Sequence, residues 1–264
     1  MTITAHHHPD GVLELVIEHP PVNALCIADL HDLADRLAEV ERRPDVCAVL
    51  LRAEGKGFCG GGDVKEVQAL SGHDGILGQA SGSQEASFAA AECAVPVIAA
   101  VHGYCIGVGV LIVAMCDIIV AAYGTRFVLA EVDNGATSGG VQAAALLPEK
   151  RLRAAMLTAE PFSAEELQAY GSVYRLVEES SLREEAMGLA QTIANKSPIV
   201  VRHLKRALNG SAGLAEILTR YRAELSYTYE LNLLGEAAER RGDFLSGHRA
   251  GYLSDTESDA AEGE

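Results

Sequence analysis

One acidic side chain and two glycine-rich loops are the residues best suited to chemistry. The segment FVLAEVDNGA, residues 127–136, carries Glu131 directly after four apolar residues. A carboxylate at the end of such a strand-like run is shielded from water. Burial penalises its charged form and lifts its pKa toward neutrality, the range of a useful general base. A solvent-facing glutamate at a strand end fits the local sequence as well. Asp133, two residues on, either shares the site or faces solvent. The loops are GKGFCGGGD at 55–63 and GYCIGVG at 103–109. Each follows an apolar run and leads into a helical pattern. Backbone N–H groups at such a turn point toward a ligand, and the helix start adds partial positive charge. Two such turns facing one another could hold a developing oxyanion between two amides; taken singly, either could be only a turn.

Other chemistries are demoted. Ile112 stands where a dinucleotide fingerprint beginning at Gly107 needs its third glycine, and neither a phosphate-binding G-x-x-x-x-G-K-[ST] loop nor a G-x-S-x-G elbow occurs. The six cysteines form no C-x-x-C pair, so no metal site is expected. The net charge of −16 argues against a nucleic-acid-binding surface. The N-terminus shows no secretory signal pattern, and reduced thiols in a cytoplasm are expected. His6, His7 and His8 read as a flexible tail, His102 as a packed histidine, and Met115 and Cys116 as core.

The elements that must position these residues follow from periodicity. With 264 residues and 48% hydrophobic content the chain can build a full core. Residues 12–18 alternate apolar and polar, as a half-buried strand does. Ile27, Leu30, Leu33, Ala34, Leu37 and Val40 have helical spacing. Residues 46–52 read as a second strand, 64–69 as a short helix, and the Gly- and Ser-rich 71–84 as a mobile loop or lid. Residues 94–116 carry no Asp, Glu, Lys or Arg. Their glycines divide them into a buried strand, a turn and a buried helix rather than a membrane span. Strands near 118–122 and 126–129 follow. Ser163 with Glu166 is a capping box, and helices are expected near 181–195, 198–209, 213–234 and 236–248. On the helix at 213–234, Tyr221 and Leu225 fall on an apolar stripe read as core or subunit contact. Strand–helix alternation makes the class α/β. The expected division is a core over 1–200, a C-terminal helical region over 201–253, and a disordered acidic tail over 254–264.

Six segments in order, PPVNAL (20–25), LRAEGKGFCGGGDVKE (51–66), PVIAAVHGYCIGVGV (96–110), CDIIVA (116–121), FVLAEVDNG (127–135) and YGSVYRLV (170–177), resemble the crotonase (enoyl-CoA hydratase/isomerase) superfamily over about residues 10–250. The resemblance implies a crotonase-like spiral of ββα turns, a homotrimer or dimer of trimers formed through the C-terminal helices, and an acyl-CoA substrate with no further cofactor. It implies an oxyanion hole made by the amides of Gly62 and Val108, with Glu131 and Asp133 as catalytic candidates. The substrate-binding set that it implies is Val22, Ala24, Cys59, Gly60, Gly62, Asp63, Val64, Ile106, Val108, Leu111, Ala130, Glu131 and Asn134. Val22 and Ala24 would line the entrance, with the acyl pocket between residues 64–90 and the C-terminal helices. Two departures bear on the reaction. Leu111 stands where hydratases of the family carry the first of two glutamates, and Val108 stands where glycine is frequent. A lone Glu131 suits double-bond isomerisation, or activation of water against a carbonyl, better than hydration. The C-terminal segment 221–247 is similar to a branch that opens carbocyclic rings carried on CoA, as in steroid degradation. A non-catalytic acyl-CoA-binding scaffold is the alternative from another class.

Overall fold

The computed structural model describes residues 2–211 and 213–248. The expected acidic tail, 254–264, lies outside the described residues. A six-stranded sheet organises the chain, built from β1 (Ile3–His7), β2 (Val12–Ile17), β3 (Ala48–Ala53), β4 (Val97–Val101), β6 (Ile118–Ala122) and β9 (Arg175–Val177) in that spatial order. The β1–β2 pair is antiparallel and the other pairs are parallel. A second, three-stranded sheet joins β5 (Tyr104–Ile106), β7 (Arg126–Val128) and β8 (Phe162–Ser163). The helices are α1 (Ile27–Glu39), α2 (Val64–Ala69), α3 (Asp74–Glu92), α4 (Val108–Ala114), α5 (Gly140–Ala143), α6 (Glu149–Thr158), α7 (Ala164–Tyr170), α8 (Glu179–Ala194), α9 (Pro198–Ser211), α10 (Leu214–Leu233) and α11 (Glu236–Leu245).

The charge-free run resolves into β4, β5 and α4, and no helix among the described residues is long and apolar enough to cross a membrane. Ser163 caps α7 by accepting from the Glu166 amide at 3.2 Å. The histidine tail is a correction: Ile3–His7 pairs with β2 as an edge strand.

β2 also differs from its half-buried expectation, since all six of its residues are buried. The sheet is covered on both faces. Leu13, Leu15 and Ile17 join the cluster containing α1, α3 and α4, while Val12 joins the cluster formed with Leu182, Ala186 and Ala190 of α8. Glu14 on that second face is 1% exposed. It accepts from Arg52 at 2.6 Å, Arg183 at 2.8 Å and His8 at 2.8 Å. Burial pushes its carboxyl up, but those donors outweigh burial and hold its pKa at about 2.

The second correction is the expected loop over 71–84: only 71–73 form a turn, and 74–84 belong to the long helix α3. Its glycines are contact residues rather than loop signals. A methyl on Gly78 would stand 2.6 Å from Ile27 Cδ1, and one on Gly82 would stand 2.9 Å from Leu30 Cβ. Each glycine costs a helix about 1 kcal/mol; here they let α3 pack tightly on α1, and tertiary packing supplies most helical stability.

The C-terminal helices are tied down by polar contacts. Lys205, 3% exposed, donates to Ala90 O at 3.1 Å, Val95 O at 3.0 Å and Asp117 Oδ2 at 2.7 Å. Asp117 also accepts from the Val97 amide at 2.7 Å, so one carboxylate joins α9 to the start of β4.

The Glu14 cluster makes stability pH-dependent. Its folded pKa lies below its unfolded value, so its contribution is complete above about pH 4.5 and is lost as pH falls toward 2. Urea denaturation from pH 6 to pH 2.5 is expected to show a decline that Glu14→Gln flattens by about 2–3 kcal/mol. Parallel curves for the two proteins would contradict this account.

Candidate active site

The two glycine loops are held side by side. Cys59 pairs with Cys105 in a parallel β-bridge, and the Ile106 amide donates to Cys59 O at 2.9 Å. Gly62 and Val108 each lie three residues past that bridge, so their loops leave it in the same direction. Gly61, at φ +104°, and Gly107, at φ +51°, adopt backbone conformations that disfavour a side chain. Among the described residues no acceptor takes the amide N–H of Gly62 or Val108. Val108 opens α4, whose first-turn amides have no acceptor within the helix.

Glu131 enters from β7. Its carbonyl accepts from the Asn134 amide at 3.0 Å and the Ala136 amide at 2.9 Å, forming a tight 3-10 turn over Val132–Asn134. A methyl on Gly107 would stand 3.5 Å from Glu131 Oε1 and 3.9 Å from Gly61 Cα. Both loops and the carboxyl therefore converge. Glu131 Oε2 is buried and has no hydrogen-bond partner. Burial pushes the Glu131 pKa up to about 7, and the neighbouring Glu224 carboxylate adds to the rise. Glu224 itself is pushed up by burial; its Oε2 accepts from the Gly139 amide at 2.9 Å. Thr137 Oγ1 donates to Glu224 O at 3.0 Å, and the Thr137 amide donates to Thr228 Oγ1 at 3.0 Å, stitching the loop after Glu131 to α10.

These groups open into a cavity of about 500 Å³. Val22, Ala24, Gly60, Gly62, Asp63, Val64, Ile106, Val108, Leu111, Ala130, Glu131 and Asn134 all line it. Asp63 caps α2, its Oδ1 accepting from the Lys65 amide at 2.9 Å and the Glu66 amide at 3.2 Å, which orients the turn after Gly62. Leu111 of α4 is 3% exposed and lines the cavity with an apolar side chain. Among the described residues no group of His, Cys, Asp and Glu could hold a metal.

Two expected residues lie elsewhere. Cys59 is fully buried and does not line the cavity; its Sγ accepts from the Gly61 amide at 3.4 Å, and burial pushes its thiol up to about 12. It shapes the first loop from beneath. Asp133 also lies outside the lining, because a 3-10 turn sets residues three apart on one side, here 131 and 134, and turns 133 off it. Conversely, Tyr221, Leu225, Thr228, Arg241 and Phe244 line the cavity from α10 and α11. Tyr221 and Leu225 thus do more than fill core or meet a subunit. The stripe on α10 was the signal available for these two; nothing local marks Arg241.

The enoyl-CoA hydratase/isomerase family model matches residues 7–232. The chain belongs to that family, the crotonases. Two relatives lie close to it. The "(7aS)-7a-methyl-1,5-dioxo-2,3,5,6,7,7a-hexahydro-1H-indene-carboxyl-CoA hydrolase" of Rhodococcus jostii is 40% identical over 93% of this chain and 95% of its own. The enzyme of the same name from Mycobacterium tuberculosis is 39% identical over 93% of this chain and 99% of its own. Among solved structures, an enoyl-CoA hydratase/isomerase from Pseudoalteromonas atlantica superposes with a TM-score of 0.82 at 25% identity, covering 96% of this chain and all of that one. The α/β crotonase fold expected from the sequence is therefore the fold observed, helical C-terminal region included.

Cysteine labelling checks the placement of Cys59 in this crotonase. Iodoacetamide at pH 8 is expected to modify the half-buried Cys26 and Cys47 first and to leave Cys59, Cys93 and Cys105 unmodified in the folded protein. Peptide masses report the order. Early modification of Cys59 would put its thiol in the cavity after all.

Proposed function

We propose that this crotonase hydrolyses a carbon–carbon bond in a cyclic keto acyl-CoA. The observation that carries the reading is one buried carboxyl, Glu131, whose Oε2 has no hydrogen-bond partner and whose pKa lies near neutrality, in a cavity where Leu111 stands in the place of the second acid that hydration would need. The relatives named as indene-carboxyl-CoA hydrolases support the same choice.

The proposed step is balanced in atoms and electrons. Glu131 takes a proton from water, and the hydroxide adds to a ring ketone. The resulting tetrahedral oxyanion collapses to a carboxylic acid as the adjacent ring C–C bond breaks. The bonding pair moves onto the α-carbon and into the thioester as an enolate, whose oxygen sits between the amides of Gly62 and Val108. Protonated Glu131 then returns its proton to carbon. Water is consumed, one C–C bond is lost, and the free acid ionises in solution. Preorganised amides stabilise such an oxyanion by roughly 3–4 kcal/mol per donor.

A homotrimer or a dimer of trimers belongs to the same reading. Ile199, Val200, Leu204 and Leu208 of α9 are more than half exposed and apolar, a face suited to a second copy. A cytoplasmic location is also part of it, in keeping with six cysteines that are all free thiols.

Glu131→Gln tests the chemistry. It keeps the shape, removes the base, and is expected to lower kcat by about 10²–10⁴-fold on the true substrate. The search uses linear enoyl, β-keto and cyclic β-diketone CoA esters, with product mass and ring-ketone absorbance recorded. Unchanged turnover by the variant would remove Glu131 from the mechanism, and binding without conversion across the panel would favour a scaffold. In the wild type, kcat/KM should fall as pH drops below about 7, because protonated Glu131 cannot accept the water proton. Crotonyl-CoA is expected to be hydrated only weakly; brisk hydration would refute the inference from Leu111.

A further inference from the structure

Arg241 is a buried cation to which the proposed mechanism gives no role. It is 9% exposed and lines the cavity from α11. Its Nε donates to Gln68 Oε1 at 3.1 Å and its Nη2 donates to Asn232 Oδ1 at 3.1 Å. Both acceptors are neutral amides, and among the described residues no carboxylate pairs with this guanidinium. Arg202 is likewise held by neutral acceptors, the carbonyls of Val40, Arg43 and Val46, but three other shielded cations each meet a carboxylate. Lys205 meets Asp117, Arg52 meets Glu14 and Arg151 meets Glu166. Burying a cation without a counter-charge is costly unless a ligand supplies one. Burial lowers the pKa of Arg241, yet a guanidinium stays protonated at any physiological pH.

Its position relative to the reacting groups follows from helix geometry. Ala237 of α11 packs on the turn after Glu131, so closely that a methyl on Gly135 would stand 2.5 Å from Ala237 Cα. Arg241 is four residues further along α11 and so on the same face, about 6 Å away. Gln68 of α2 and Asn232 of α10 hold two of its donors from either side, which fixes the plane of the fork. Among the described residues no acceptor takes its Nη1 donors, the residue lines the cavity, and a planar fork matches a carboxylate in bidentate fashion.

We infer that Arg241 is a specificity residue that binds a carboxylate carried on the acyl part of the CoA ester, either present in the substrate or released when the ring opens. This rests on reading the cavity as an acyl-CoA site. Phosphates of CoA are the competing source of negative charge, and Lys65, exposed at the rim of the same cavity, is the more accessible cation for them.

The test uses saturated esters that cannot react, in pairs that differ only at the chain end: glutaryl- and valeryl-CoA, adipyl- and hexanoyl-CoA, pimeloyl- and heptanoyl-CoA, with free CoA as reference. Dissociation constants are measured by titration calorimetry on the full-length protein. The wild type should prefer the carboxylated ester by about 10-fold at one chain length or more. Arg241→Gln should erase that preference while changing the Kd of neutral esters and of free CoA by less than about 2-fold. Arg241→Lys, which keeps the charge without the fork, should retain only part of it, and guards against a glutamine variant that fails to fold. Absence of any preference in the wild type, or equal weakening of free CoA in a folded variant, would overturn the role given to Arg241. If the wild type bound none of the esters and no CoA, the acyl-CoA reading itself would fall.

Discussion

Desolvation of one carboxyl group is the constraint on which the rest depends. Glu131 keeps an unpartnered oxygen inside a predominantly apolar cavity, and in the unliganded protein that arrangement costs stability. The surrounding structure supports it. The 3-10 turn fixes the backbone, α10 is stitched to the loop that follows, and α11 closes over the turn from outside. Each of these contacts keeps water away from the carboxyl, and a dry carboxyl is what brings its proton affinity into the working range.

The same logic governs the glycine loops. Amides left without acceptors are a liability in a core and an asset in a binding site. They are tolerated here because the parallel bridge between Cys59 and Cys105 fixes both loops rigidly, and because Gly61 and Gly107 accept backbone angles that would strain other residues. Cys59, with its inert thiol, belongs to this scaffold rather than to the chemistry.

Much of this was legible in the sequence where the signal was local. The α4 start, the short helix after the first glycine loop, the Ser163 cap and the placement of Glu131 after an apolar run all depend on residues within a few positions of one another. Failures came where distant packing decided the outcome. Glycines at 78 and 82 read as loop because their role, close approach to α1, involves partners many residues away. Glu14 read as the wet side of a strand because its cover, Arg183, is 169 residues distant in the chain. Arg241 carried no local mark at all; it acquires meaning only when α11 is laid against α2 and α10.

That last docking has a bearing on biosynthesis. In chain order α11 follows every other wall of the cavity, including both loops, Glu131 and α10. Domains generally fold as units during synthesis. Among the described residues the cavity therefore lacks one wall until α11 has been translated. Competence for turnover accordingly arrives late and all at once.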